Sequence, residues 1–147
     1  MLLDLLALLA VGLFAGAALY VTLVEHPARR QCGAALAIAE FGPSYRRGAV
    51  MQASLATVGG LAGVADWTRG HGAFPLAAGL LMMGLIAFTL IVILPTNKLL
   101  LSSTVEKQSP EAERLLVRWG VFHAVRSILS GLALLLFLYL VIFKSPV

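Results

Sequence analysis

Four long stretches of the chain are almost entirely apolar, and the segments between them carry most of the charge. The stretches are 2–24, 49–65, 74–94 and 121–143. A helix needs roughly 20 apolar residues to cross about 30 Å of hydrocarbon. Three stretches meet that length, and the shorter one, 49–65, is rich in small residues that let helices pack closely in a membrane. The pattern predicts an all-α integral membrane four-helix bundle that forms a single domain over residues 1–147.

The three connections between these stretches differ in length. Residues 66–73 are few enough for a tight antiparallel hairpin. The connection 25–48 contains QCGAALAIAEF, which predicts a short amphipathic helix that ends at Gly42-Pro43. The connection 96–120 contains Ser109-Pro110-Glu111, which is an N-cap residue followed by proline and an acid. We expect the helix that begins there to run into the fourth apolar stretch.

Composition and charge exclude a soluble fold and predict an orientation. Of the 147 residues, 60% are hydrophobic and 12% charged, whereas a soluble domain has about 25% charged residues. The net charge of +4 is explained by basic loop residues, so it predicts no nucleic-acid partner. Most lysines and arginines lie in the two long connections, and the opposite side holds only Arg69 and Lys144. The positive-inside rule predicts cytoplasmic long connections and both termini outside, as in a bacterial inner-membrane protein.

The fourth apolar stretch carries the sharpest polar pattern. Trp119, His123, Arg126 and Ser130 follow helical spacing and share one face. Ionisable residues inside an apolar helix are costly and usually face a bundle interior, where they often serve function. Two alternatives stay open: either Arg126 extends its charge to the headgroups, or it faces a pocket together with His123.

Other polar residues lie at the same ends of the predicted helices. Glu25 and His26 end the first stretch, Tyr45 and Gln52 lie near the start of the second, and Asn97 follows the third. We expect them to converge with the fourth-stretch residues in a pocket on the cytoplasmic side. In this hypothesis Glu25 balances Arg126, and His26 faces His123. Each residue also has a purely structural interpretation, as a helix end, an interfacial aromatic or a helix–helix hydrogen bond.

A metal site is a further hypothesis. Two histidines and Glu25 match the residue types of a facial triad for iron, and two facing histidines are axial ligands of some haems. No His-x-x-x-His or Cys-x-x-Cys spacing is present. The cofactor prediction therefore stays open between none and a single haem or metal ion held by His26 and His123.

With these residues in view, the chain resembles the small four-span anthrone oxygenase family. The resemblance covers residues 16–126 and rests on several short motifs. These motifs are Gly16-Ala17-Ala18-Leu19-Tyr20 running to Glu25-His26-Pro27, then Phe41 and Tyr45, Met51-Gln52, Pro95-Thr96-Asn97, and Trp119 with His123 and Arg126. It implies a membrane protein that is linked, in some members, to oxidation of polyketide anthrones to anthraquinones. Many members lie outside such pathways, so the resemblance does not determine a substrate.

The chemistry of an anthrone suggests a role for each candidate residue. Removal of a proton from the acidic central methylene gives an electron-rich anthrolate that reacts with dioxygen without a metal. His123 is the candidate base, and Arg126 is the candidate cation for the developing oxyanion. Further expected substrate contacts are hydrogen bonds from Asn97 and Gln52 and stacking on Trp119 and Tyr45.

Three other functional classes fit the same residues. The protein could be a non-enzymatic binder or transporter of an aromatic or quinone-like molecule, a haem or metal protein, or a structural subunit without a pocket. In every case we expect the lipid bilayer as a partner. We also expect a hydrophobic aromatic small molecule as a partner. Small residues on the second stretch make a homo-oligomer a further expectation.

Overall fold

The computed structural model describes residues 2–143, which fold into four long helices. Their bounds are Leu2–Gln31 (α1), Ala34–Thr68 (α2), Ala73–Leu101 (α3) and Pro110–Phe143 (α4). All four are long and apolar enough to cross a membrane, and each contains one of the apolar stretches. Residues 2–143 contain no strand. The prediction of an all-α four-helix membrane bundle is confirmed, while Lys144 lies outside the described residues.

The helices pack in a closed ring in chain order. α1 contacts α2, α2 contacts α3, α3 contacts α4, and α4 returns to α1. Large apolar side chains such as Leu9, Leu61, Ile91 and Leu135 remain exposed on the outer surface, which is consistent with contact to a lipid bilayer. One end of the bundle, hereafter the connection end, carries the segments 25–48 and 95–120. The opposite end carries the α2–α3 hairpin.

Glycines bring α2 and α3 into backbone contact. A Cβ atom on Gly63 would lie 2.6 Å from the Pro75 carbonyl oxygen and 2.8 Å from the Cα of Gly79, and one on Gly79 would lie 2.8 Å from the Gly60 carbonyl oxygen. No side chain fits at such distances, so this is the small-residue packing that the second stretch predicted. The face is used within one chain, which removes the sequence argument for a homo-oligomer that rested on it.

The first long connection differs from the prediction. Instead of a separate short helix ending at Gly42-Pro43, residues 34–68 form one helix that passes through Pro43. An interior proline costs about 3 kcal/mol, but Ala37, Ile38 and Phe41 are buried just before it and hold the segment against the bundle. The second connection follows the prediction, because the Ala112 N–H donates to Ser109 Oγ at 3.1 Å and α4 begins at Pro110.

Two widened π turns interrupt α1 and α3. They span Val21–Glu25 and Thr89–Ile93, and in each case the second residue after the turn is a proline. Proline has no N–H to donate, so the preceding backbone is free to adopt i→i+5 bonds. Accordingly, the His26 N–H donates to the Val21 carbonyl and the Leu94 N–H to the Thr89 carbonyl. Residues of both turns line one internal cavity.

Candidate functional site

A cavity of about 180 Å³ lies between two buried clusters of the bundle. One cluster, around Phe14, Met82 and Phe137, fills the hairpin half, and the other, around Phe41 and Trp119, fills the connection end. The cavity, hereafter the central cavity, is lined mainly by apolar and aromatic side chains. Of the candidate residues, those that line it are Glu25, Tyr45, Gln52, Asn97, Trp119, His123 and Arg126, whereas His26 does not.

His123 and Arg126 meet at the wall of this cavity. His123 is 2% exposed, and Arg126 Nη2 lies 2.5 Å from its Nε2 atom. A guanidinium can only donate, so Nε2 accepts and carries no proton. The ring proton of a neutral His123 therefore sits on Nδ1.

Two hydroxyl groups complete the hydrogen bonds of His123. Nδ1 donates to Thr22 Oγ1 at 2.8 Å, and Thr22 lies 2.7 Å from Ser127 Oγ. Ser127 in turn donates to the backbone carbonyl of Ala18, at 3.0 Å, or to that of His123, at 3.1 Å. The donor and acceptor directions are consistent along this series of hydrogen bonds. Arg126, Thr22 and Ser127 together therefore hold one tautomer and one orientation of the imidazole.

Arg126 has no carboxylate partner within residues 2–143. Its guanidinium carbon lies 5.7 Å from the centre of the Phe14 ring, and its Nε atom is buried without a hydrogen-bond partner. The expected balance by Glu25 is not found. A cation that faces an apolar cavity without a counter-charge is poorly compensated, and it is the main electrostatic feature of the site.

Glu25 instead belongs to an ion-pair network around Arg29. The Arg29 guanidinium hydrogen-bonds to Glu25 and lies 2.8 Å from Glu40 Oε2, while Ser44 Oγ donates to Glu25 at 2.8 Å. Arg29 is 7% exposed and lies 5.8 Å from the centre of the Trp119 ring. Three residues of the network, Glu25, Arg29 and Ser44, line the cavity at the connection end. The network's nearby cation satisfies the Glu25 carboxylate, which explains why Glu25 does not reach Arg126.

Trp119 is held in place on several sides. Its indole N–H donates to Asn97 Oδ1 at 2.8 Å, and its ring centre lies 4.7 Å from that of His123 and 4.9 Å from that of His26. Phe41 meets it edge-on at 5.3 Å, and Tyr45 stacks on Phe41 at 5.7 Å. Trp119 thus forms a fixed aromatic wall, and the carboxamide of Asn97 retains its NH₂ group for a ligand.

The structure does not assemble the predicted metal ligands. His26 packs against Trp119, and a Cβ on Gly120 would lie 2.6 Å from its Nε2. The indole contacts both imidazoles, both nitrogens of His123 are hydrogen-bonded, and Glu25 is paired with Arg29. Within the described ranges no group of three or more His, Cys, Asp or Glu residues could hold a metal ion. The expected His26–His123 pair does not fit a shared metal or an axially held haem in this geometry.

Gln52 is the remaining polar residue of the wall. It is 5% exposed, lines the cavity and makes no hydrogen bond to another described residue. A buried carboxamide without a partner is costly, so Gln52 is available to a ligand. Helix–helix hydrogen bonding, which was its structural alternative, is not observed.

Sequence reasoning missed three residues of the site. Arg29 belongs to the Arg29-Arg30 doublet, a pattern typical of a charged connection, and Thr22 and Ser127 are isolated small polar residues in the sequence. The one available signal was spacing, since Ser127 lies one turn after His123 on the same helix face. Nothing in the sequence indicated that Thr22 would meet that face.

Comparison with known proteins gives one family. A family model described as anthrone oxygenase matches residues 41–136, which is more than half of the chain. The matched segment contains Tyr45, Gln52, Asn97, Trp119, His123 and Arg126. Searches of curated proteins and of solved structures found no match.

Proposed function

The chain belongs to the anthrone oxygenase family, and on that premise we propose that it oxidises a flat phenolic aromatic of the anthrone type within the central cavity. The observation that carries this proposal is Arg126, a cation without a carboxylate partner in the described chain that lines an apolar, aromatic cavity. Such a site favours a ligand that is mostly apolar and bears one oxygen on which negative charge develops.

The reaction needs no reactant other than the anthrone and dioxygen. A base removes one proton from the central methylene of the anthrone, and the resulting anthrolate carries its charge on the ring oxygen. The carbanion carbon forms a bond to dioxygen, which is reduced to a peroxide, and protonation gives a hydroperoxide. Loss of water then leaves the second carbonyl. The sum is anthrone plus dioxygen to anthraquinone plus water.

Arg126 and His123 have separate roles in the first step. A substrate oxygen next to the guanidinium takes over the Nη2 hydrogen bond that His123 Nε2 receives at 2.5 Å. This exchange stabilises the anthrolate and exposes the Nε2 lone pair at the same moment. Nε2 then accepts the methylene proton, while Thr22 continues to hold Nδ1. This proton transfer leaves an imidazolium near Arg126, and the anthrolate charge between the two cations offsets their repulsion.

The other cavity groups recognise the remaining parts of the substrate. Gln52 and the NH₂ of Asn97 supply hydrogen bonds for peripheral oxygens, and Phe14, Tyr45 and Trp119 supply aromatic surface. An apolar cavity of about 150 Å³ holds benzene. A cavity of about 180 Å³ therefore encloses only part of a three-ring substrate, and the rest must extend beyond it.

Turnover of a simple anthrone by the purified protein in mild detergent tests this proposal. Oxygen uptake and anthraquinone absorbance are followed against a protein-free blank, because anthrones oxidise slowly by themselves. We expect Arg126→Gln and His123→Gln to lose about 100-fold or more of the rate above the blank. Arg118→Gln is the matched control, since Arg118 is exposed on the same helix and lies 5.3 Å from the centre of Phe122. Full turnover by Arg126→Gln would refute the proposal.

One observation favours a second candidate, a non-enzymatic binder of aromatic molecules. Both ring nitrogens of His123 are already hydrogen-bonded, so a ligand that leaves Arg126 in place meets no free base. A binder would bind anthrone and anthraquinone alike and would show no oxygen uptake above the blank. In that case Arg126→Gln weakens binding and His123→Gln has little effect.

A further inference from the structure

A large open groove runs along the outer surface between α1 and α2. Its volume is about 1040 Å³, and we refer to it as the lateral groove. Small residues form its floor, namely Gly12, Gly16 and Ala17 on α1 and Gly48 on α2. Exposed apolar side chains such as Leu13 and Met51 border it, so in a bilayer it faces the lipid.

The lateral groove adjoins the central cavity. Five residues line both spaces: Val21, Glu25, Ser44, Gly48 and Gln52. At this junction the side chain of Gln52 is 5% exposed and has no hydrogen-bond partner among the described residues. The unpartnered carboxamide points to a ligand that passes or occupies the junction, since nothing within the bundle satisfies it.

Glycines keep the groove open without any packing requirement. A Cβ on Gly16 or on Gly48 would meet no atom within 4 Å. This contrasts with Gly63 and Gly79, where a Cβ would collide with backbone. A Cβ therefore fits at Gly16 and at Gly48, and a longer side chain at either position would extend into the groove.

We propose that the lateral groove is the entrance through which the substrate reaches the central cavity from the bilayer, and that the part of the ring system that the cavity does not enclose stays in it. This inference rests on the proposed function for the identity of the substrate. The groove ends among polar side chains at the connection end, including Glu25, Ser44 and Arg47, and among apolar ones such as Leu13 and Leu55 nearer the middle of the bundle. An aromatic with phenolic oxygens on one edge matches this gradient.

Fluorescence of Trp119 measures access to the cavity independently of turnover. The chain has two tryptophans, so Trp67→Phe leaves Trp119 as the sole reporter at the cavity wall. The probe is 1-hydroxyanthraquinone, a flat quencher that the reaction cannot oxidise further, added to protein in phosphatidylcholine vesicles. The rate and the final extent of quenching are recorded for Gly16→Leu, with Gly84→Leu as the matched control. Gly84 is likewise an exposed helical glycine with nothing within 4 Å of a Cβ, but it lies on α3 away from the groove.

Gly16→Leu is expected to slow quenching about tenfold or more, because its side chain fills the groove through which the probe enters. Gly84→Leu should quench at the wild-type rate. To separate blocking from misfolding, Gly16→Cys is purified in a Cys32→Ser background and then alkylated. Alkylation of the folded protein should slow quenching in the same way.

The possible results separate this inference from the proposed function. If Gly16→Leu and the alkylated protein quench at the wild-type rate, the groove holds only lipid chains and the inference is wrong, whatever the turnover. If Trp119 is not quenched at saturating probe in the protein that keeps Gly16, the cavity does not accept flat aromatics, and both the entrance and the proposed function are wrong. If quenching is slowed as expected but anthrone is not oxidised, the entrance is supported and the protein is a binder.

Discussion

Nδ1 of His123 lies 2.8 Å from Thr22 Oγ1, and this contact joins the π turn of α1 to the middle of α4. Because Arg126 occupies the opposite ring nitrogen as a donor, Thr22 must accept the Nδ1 proton. Arg126 therefore determines which nitrogen of His123 can act as a base, and a residue of the first helix holds the other nitrogen.

Thr22→Val tests this relationship, since it keeps the shape and removes the acceptor. We expect turnover to fall about tenfold or more, because the base loses its orientation. Nitrogen NMR of labelled histidine should show that Nδ1 keeps its proton, since Arg126 still donates to Nε2, but that the Nδ1–H signal loses the shift of a hydrogen-bonded group. Thr22→Ser restores the hydroxyl and should restore both the rate and that shift. If Thr22→Val keeps the rate and the hydrogen-bonded shift, Thr22 only packs the helices.

Arg126→Met separates function from stability. Removing a partly buried cation that has no carboxylate partner within residues 2–143 should leave the free energy of unfolding unchanged or raise it by ~1–2 kcal/mol. Binding of a phenolate ligand should be lost at the same time. Unfolding in detergent and ligand titration measure the two effects, and Arg118→Met, on the exposed surface of α4, should change neither. A strong destabilisation by Arg126→Met would mean that this arginine is a structural element.

The two carboxylates around Arg29 are expected to contribute different amounts to the free energy of unfolding. The side chain of Glu25 is 25% exposed and that of Glu40 is 47% exposed. Glu40→Gln should therefore cost about 1 kcal/mol or less, and Glu25→Gln about 1–3 kcal/mol. The double variant should cost more than the sum, because it leaves the buried Arg29 without a counter-charge. A double-mutant cycle of unfolding free energies checks this, and strict additivity would contradict the shared network.

Gly120 should tolerate no side chain without movement of His26. Its Cβ would lie 2.6 Å from His26 Nε2, whereas a Cβ on Gly131, further along the same helix, would meet nothing within 4 Å. We expect Gly131→Ala to stabilise the helix by up to about 1 kcal/mol, and Gly120→Ala to be about 1–3 kcal/mol less favourable than that. Thermal unfolding compares the two. Equal effects would show that the His26 ring shifts freely.

Much of the site was predictable because charge in an apolar helix is expensive wherever that helix goes. His123 and Arg126 stand out in the fourth stretch for that reason alone, and the ends of the other helices supplied Tyr45, Gln52 and Asn97 as companions. These residues do line one cavity. Their pairing was less predictable. Glu25 was expected to pair with Arg126, but it pairs with Arg29 one turn away on its own helix.

The sequence by itself determined the number of helices, their membrane character and the end of the bundle where polar groups gather, because these depend on apolar length and on the cost of burying charge. The tertiary structure alone decided that Trp119 contacts both imidazoles, that Thr22 accepts from His123, and that α2 runs unbroken through Pro43. These features arise from contacts between residues up to about a hundred positions apart. In addition, a π turn rotates every later residue of its helix to a different face. Local patterns carry no information about such contacts, since their energy comes from partners that only the packed bundle brings together.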